Sequence, residues 1–227
     1  MIYDLPDYAA AGAQHFVSGS NTVPEMLRYD CNHNLYLHDF TSMKVSLTSP
    51  RLTLKEVRSK DLALVHELHS FPEVDRYNTR GLPENIAETE RSLAEWLLEQ
   101  QAVPQLHYVF CITDIRTSEF AGMIGLRLGK IKYRIAEVWY KLHPDHWGKG
   151  FATEALNAVL HFGFKDLQLH RIEAGCAVEN VASARVMEKA GMQREGHKRK
   201  SLPIRGEWFD NFEYAMLEED FFEMSDV

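Results

Sequence analysis

The stretch HPDHWGKGFATEA at 143–155 holds the residue types best suited to chemistry. Gly148 and Gly150 stand one residue apart, where a strand-like run gives way to a helix-like one. Glycine lets a backbone turn tightly and come close to a ligand. The first turn of a helix adds unpaired N–H groups and a positive dipole end, so such a junction suits a phosphate group. GxxxxGK[ST] is absent, and with it the Lys and Ser/Thr pair that serves a Mg-nucleotide; the GxGxxG of dinucleotide-binding folds is incomplete. Taken alone, the two glycines also fit a plain strand–helix turn.

Three further patterns follow. LHRIE occupies 169–173. Asn180, Ser183, Val186, Lys189, Gly191, Glu195 and Gly196 fall at N-x-x-S-x-x-V-x-x-K-x-G-[FM]-x-x-E-G spacing. Gly206, Trp208, Asp210 and Tyr214 close the series. With GKGFATEA at 148–155, these motifs in this order resemble the GNAT superfamily of N-acetyltransferases, and within it the RimJ/RimL type that acetylates protein N-termini. The resemblance runs from Arg51 to Phe221.

That resemblance implies an α/β (α+β) fold: a mixed, mostly antiparallel sheet of about seven strands flanked by helices, splayed between its fourth and fifth strands (here 135–142 and 171–178). Acetyl-CoA is the implied acetyl donor, with no metal. Its pantetheine arm lies in the splay, paired with backbone groups of Tyr140, Lys141 and Leu142. Backbone N–H groups of Trp147, Gly148, Lys149, Gly150, Phe151 and Ala152 hold the pyrophosphate, with Thr153 in the same turn, and Asn180 donates its amide to the pantetheine.

The implied reaction is direct attack of a neutral amine on the thioester. It needs a route for the amine proton, donors for the oxyanion and an acid for the thiolate. Glu137, where the family carries a glutamate, is the first candidate base; an outward charged residue on a half-exposed strand is the competing reading. Glu173 and Glu179 are weaker candidates. A backbone N–H near Tyr140 is the expected oxyanion donor. Many members place a tyrosine acid where this chain has Met187, so Ser183 is the hydroxyl left to meet the sulfur, with helix capping as its alternative role. Tyr77 and Asn78, in a loop at 71–83, and Trp139 are expected on the acceptor side. Two residues depart from the family pattern: Asp145, an acid near the pyrophosphate loop that is expected to face solvent, and Trp139, in place of a glycine associated with a strand bulge.

The acceptor itself has two readings: a protein or peptide α-amine, or a small amine such as an antibiotic or polyamine. A non-catalytic CoA-binding sensor is the rival outside enzymology. An α-amine, with a reference pKa of about 8 against about 10.4 for lysine, needs less help to lose its proton.

The elements that must position these residues are legible from 49 onward. Alternation predicts a strand over 51–57, and Ser59 reads as the N-cap of a helix over 60–69. A second helix spans 85–101, with Ile86, Leu93, Trp96 and Leu97 as its apolar stripe. Strands are expected at 108–114, 120–128 and 135–142, a helix at 151–165, a strand at 171–178 and a helix at 181–190 ended by left-handed Gly191. Strands at 193–202 and 208–217, turning at Arg205 and Gly206, complete the order. The domain is placed at 50–222, with a tail at 223–227. Residues 1–49 show neither period and read as an irregular extension with a short helix at 24–28, docking through Phe16, Leu35, Tyr36 and Leu37.

Bulk properties narrow the classes. At 227 residues the chain suits one α/β domain with an appendage. A net charge of -8 argues against non-specific nucleic-acid binding. Cys31, Cys111 and Cys176, with no CxxC, read as reduced and buried. No apolar run approaches the ~18 residues that span a bilayer, and the N-terminus lacks signal-peptide character, so the expected location is the cytoplasm. His66/His69 and His143/His146 lack a third ligand at motif spacing. The partners expected are acetyl-CoA and an amine acceptor, with no nucleic acid and no membrane, in a monomer or homodimer.

Overall fold

The computed structural model describes residues 45–225 continuously, together with two short strands nearer the N-terminus, Met26–Tyr29 (β1) and Leu35–His38 (β2). These two pair antiparallel from Met26↔His38 to Tyr29↔Leu35. The helix expected at 24–28 is therefore corrected: from Met26 the backbone is extended, because its hydrogen bonds go to a partner strand. The expected docking of the extension, and Cys31, lie outside what is described.

Ser46–Thr48 (β3) and Leu52–Glu56 (β4) lead into a 3₁₀ turn, Ser59–Asp61, and the helices Leu62–Ser70 (α1) and Pro72–Asp75 (α2). Entry to α1 differs from the expected Ser59 cap. The Asp61 carboxylate accepts the Arg58 N–H at 2.8 Å, so an acid three residues on closes the turn. Ile86–Glu99 (α3) is capped as its sequence suggests, Asn85 accepting from the Ala87 and Glu88 N–H groups. His107–Asp114 (β5), Phe120–Leu128 (β6) and Ile135–Leu142 (β7) form a meander. Phe151–His161 (α4) runs on into a π turn, Phe162–Asp166, and is followed by Arg171–Ala177 (β8) and Val181–Lys189 (α5). Gln193–Ile204 (β9), Glu207–Leu217 (β10) and Glu218–Ser225 (α6) end the fold. Gly191 has φ 87°, and the β9–β10 turn takes Arg205 and Gly206 at φ 49° and 82°, a hairpin turn with both central residues left-handed.

The sheet order is β3-β4-β5-β6-β7-β8-β10-β9, antiparallel at every junction except β7–β8. The mixed, mostly antiparallel α/β sheet of the sequence reading is present, with eight strands rather than about seven. The added one is β3, inside the segment read as irregular. Its three residues are too few to display an alternation, and pairing with β4 holds them. The tail expected at 223–227 is corrected as far as Ser225, which closes α6. Acidic Glu218, Glu219 and Asp220 suit the start of that helix, and Phe221 stacks on Phe164 at 5.0 Å. Among the described residues no helix is long and apolar enough to cross a membrane.

The two sheet faces bury two cores, and strand alternation sorts residues between them. Leu52, Leu54, Phe110, Ile124 and Val138 pack with Leu156, Val159 and Leu160 of α4 and Met187 of α5. On the other face Val109, Cys111, Met123 and Trp139 meet Val65 and Leu68 of α1 and Leu93 and Trp96 of α3. Cys111 and Cys176 are free and buried, and burial pushes their thiols up to about 12 and about 11. The Trp139 indole occupies the space a side chain at Gly125 would need: a Cβ there would sit 2.3 Å from it. Gly125→Ala is expected to cost ~1–3 kcal/mol by overpacking, read as a lower urea midpoint. An unchanged midpoint would mean the indole can move aside.

His69 is also buried under this face, edge-on to Trp96 at 6.2 Å, with Nε2 unbonded. Burial, with Lys141 and Arg80 acting in the same direction, lowers its pKa from 6.5 to about 2. Between those values the unfolded chain holds a proton that the folded chain refuses. The contribution is complete above about pH 6.5, and stability falls as pH drops below it. Urea titrations at pH 7, 6 and 5 should show that loss for the wild type. His69→Leu should flatten it by up to ~1.4 kcal/mol per pH unit; an unchanged slope would show that another group sets it.

Candidate active site

The β7–β8 ladder is three rungs long: Ile135↔Arg171, Ala136↔Ile172 and Glu137↔Glu173. Beyond it β7 continues against β6 as far as Leu142, and β8 against β10 as far as Ala177. The two strands therefore diverge, and each leaves one edge without a strand partner. Backbone N–H and C=O groups inside a domain require partners, so the split suits an extended, amide-bearing chain laid along β7. The apex is tied behind: the Arg134 carbonyl accepts from the His170 and Arg171 N–H groups at 2.8 and 3.2 Å. The Arg134 side chain donates to the Gln168 carbonyl at 2.6 Å and to Glu218 at 2.7 Å.

At the open end of β7, Pro144–His146 forms a short turn, then Trp147, Gly148, Lys149 and Gly150 lead into α4. Gly148 and Gly150 have φ 73° and 80°, values that favour glycine. A Cβ at Gly148 would touch nothing within 4 Å, so close approach of a ligand, rather than crowding, is what this position can offer. The N–H groups of Phe151, Ala152 and Thr153 open the helix. The Trp147 indole N–H donates to the Leu142 carbonyl at 2.8 Å, tying the loop to β7. Asp145 faces solvent as expected, its side chain 84% exposed. Arg51, which sequence reasoning did not single out, anchors the loop: it donates to the Lys149 carbonyl at 3.0 Å and to Glu154 at 2.6 Å, and lies over the Phe151 ring at 4.9 Å. The lining is thus a glycine loop, a helix start and a free strand edge, features that suit a phosphate group and an amide-bearing chain.

On the α4–α5 side of the split stands a hydroxyl pair. Tyr140 Oη and Ser183 Oγ are 2.9 Å apart, and Tyr140 also donates to the Ser183 carbonyl at 3.1 Å. Burial holds the phenol well above its usual pKa. Asn180, not Ser183, caps α5, accepting the Ser183 N–H at 3.2 Å through Oδ1. The capping alternative for Ser183 is thereby displaced. Met187 is fully buried in the core. The Tyr140 phenol was missed because only its backbone was considered; the even-numbered face that Val138 and Leu142 share with it was the available signal.

Glu137 projects from the opposite face, with Trp139 and Lys141. It is half-buried on the last rung before the divergence and has no hydrogen-bond partner among the described residues. Burial pushes its carboxyl pKa up, Glu173 adds to the rise, and Arg127 pulls it back. Glu173 is engaged by Arg171 at 2.7 Å. Trp139, expected on the acceptor side, is only 5% exposed, with its ring 6.0 Å from that of Trp96. The structure gives it a core contact in place of an acceptor contact. The β6–β7 register runs through it unbroken, without the bulge associated with a glycine there.

Tyr77 and Asn78 follow α2. Tyr77 packs against Ala177, Leu202 and Ile204, and Asn78 is buried with Oδ1 unpartnered. Asp75 bonds Arg205 at 2.9 Å through Oδ2, joining α2 to the β9–β10 turn. Asn211 on β10 is fully buried with both amide atoms unpartnered, beside Gly175. Among the described residues no group of three His, Cys, Asp or Glu side chains is placed to hold a metal.

The model of the Acetyltransferase (GNAT) domain matches residues 51–193. YnaD, an N-acetyltransferase of Bacillus subtilis, is 34% identical over 174 residues, covering 77% of this chain and 98% of its own. A crystal structure of a GNAT-family acetyltransferase from Bacillus anthracis superposes with a TM-score of 0.67 at 32% identity, over 77% of this chain and 99% of that one. Spermidine N-acetyltransferase from Vibrio cholerae, solved with CoA and spermine, gives 0.67 at 26% identity with the same coverage. The chain belongs to the GNAT family, as an N-acetyltransferase whose acetyl donor is acetyl-CoA.

Proposed function

We propose that this N-acetyltransferase is RimJ/RimL-like and acts in the cytoplasm on the α-amine of a protein or peptide N-terminus, with Glu137 and Ser183 on opposite sides of the thioester. The observation that carries this reading is the split itself: the Tyr140–Ser183 hydroxyls stand on one face of it and Glu137 on the other. Acetyl-CoA supplies an activated acetyl group to such a site. Val138–Leu142 offer their free edge to the pantetheine amides, and the N–H groups at 148–153 meet the pyrophosphate; the Trp147 N–H expected among them donates instead to the Pro144 carbonyl at 3.0 Å. The Asn180 Nδ2 remains available as a further donor. Glu137, with its carboxyl pKa raised by burial, accepts a proton from the amine directly or through water. The Ser183 hydroxyl, oriented by Tyr140, hydrogen-bonds the departing sulfur.

An α-amine fits the acceptor side better than a polycation, because the cations Lys141 and Arg80 stand there beside the acids Asp75 and Glu137, and Arg205 already engages Asp75. A polyamine is the second reading, favoured by the likeness to the V. cholerae spermidine enzyme.

Release of free coenzyme A should depend on the acceptor when acetyl-CoA is offered with N-terminal peptides, spermidine and other small amines. Gly148→Asp should abolish acetyl-CoA binding by setting a carboxylate beside the pyrophosphate, and Ser183→Ala should lower kcat about 10-fold or more with little change in KM. Binding retained in Gly148→Asp would refute the loop assignment. Binding without release from any amine would favour the sensor.

A further inference from the structure

Lys141 is set apart from the other cations of the acceptor face. It follows Glu137 and Trp139 on the same face of β7, within the segment where β7 has lost its β8 partner. Its neighbours come from α1 and the α2 segment: His69, Asp75 and Arg80 all lie within electrostatic reach. Among the described residues its ammonium makes no hydrogen bond or ion pair. Asp75 is drawn toward Arg205 instead, so the acid that could neutralise Lys141 is shared. Lys141 is half-buried; a charge partly removed from water without a partner is disfavoured, and burial lowers this ammonium to about 8.

Unbonded polar atoms lie along the same segment, where Asp75 acts on Lys141 and the Asn78 N–H donates to the Asp75 carbonyl at 2.8 Å. Asp75 is 2% exposed and Asn78 5%, each with its Oδ1 unbonded, and the Nε2 of His69, 9% exposed, is unbonded as well. Lone buried polar atoms call for a ligand or ordered water. The free acceptors suit the N–H groups of an amine. The free cation does not: it suits an anion held a few bonds from that amine.

We propose that Lys141 is a specificity residue that binds a carboxylate on the amine acceptor, so that the preferred acceptors are amines that also carry a carboxylate. This rests on the N-acetyltransferase reading and narrows its acceptor. The carboxylate has two sources, an acidic side chain near a peptide N-terminus or the α-carboxylate of a free amino acid. Arg80 adds charge in the same sense, and Asp75 and Asn78 take the amine hydrogens.

The test compares acceptors that differ only in the carboxylate: Asp-containing against Asn-containing peptide amides, and free amino acids against their carboxamides, with spermidine alongside. For the wild type, kcat/KM is expected to favour the carboxylate member of at least one pair by about 10-fold or more. The pair that shows it identifies the source. The preference should fall toward unity in Lys141→Met and Lys141→Gln and persist in part in Lys141→Arg. Because it is a ratio within one variant, a general loss of activity leaves it readable. Equal rates for both members of both pairs, higher rates with spermidine, or a preference surviving both neutral variants would overturn the proposal while leaving the enzyme reading intact. Failure of the wild type to acetylate any amine would remove the reading beneath it as well.

Discussion

The three-rung ladder between β7 and β8 is the constraint on which the rest of the site depends. Each strand keeps a full antiparallel partner on its outer side, β6 for one and β10 for the other. The sheet therefore stays cohesive while its centre opens. The apex is held by Arg134, whose carbonyl receives two N–H groups of the incoming β8 and whose guanidinium reaches Gln168 and Glu218. Glu218 starts α6 and also meets His170 at 3.1 Å, so the C-terminal helix takes part in fixing where the strands separate. Divergence without such a tie would leave buried backbone groups free to re-pair along the full strand length, because an unpaired edge seeks the nearest partner.

Opening the sheet also joins its two faces. Elsewhere β-strand alternation isolates odd from even positions, with a core on each side. At the split, Tyr140 from one face and Glu137 from the other flank a single gap. In the proposed reaction the Glu137 carboxylate and the Ser183 hydroxyl would meet one thioester from opposite sides. The glycine loop completes the arrangement from the open end: Arg51 takes the Lys149 carbonyl, and Trp147 bonds the Leu142 carbonyl through its indole and the Pro144 carbonyl through its backbone N–H.

Much of this was legible in the sequence because it resides in local pattern. Gly148, Gly150 and Gly191 announce positive φ, and the alternation over 135–142 places Glu137 and Tyr140 on opposite faces. The missing parts depend on partners distant in the chain. Three residues at Ser46–Thr48 have no readable period and become a strand only against β4. Spacing leaves Ser183 two roles, a hydroxyl toward the sulfur or a helix cap, and only the position of β7 shows that its hydroxyl meets Tyr140 while Asn180 caps the helix. Trp139 occupies a position where the family pattern predicts an open site, yet Gly125, fourteen residues earlier, gives the indole its space in the core.

The same dependence on distant partners explains why the acceptor is the hardest part to read. Lys141, Asp75, Asn78, Arg80 and Arg205 come from three separate stretches of sequence, and none belongs to a motif. Their meaning lies in the balance of charge where those stretches meet. The chain as a whole is acidic, at -8, which taken alone would suit a cationic acceptor. Around Lys141 the charges are of a different kind: Arg80 acts on it alongside Asp75, and Arg205 already engages that acid. Nearby charges interact more strongly than the summed charge of a screened surface ~10 Å or more away. On the proposed reading, acceptor choice follows the few charges near Lys141, against the sign of the molecule's net charge.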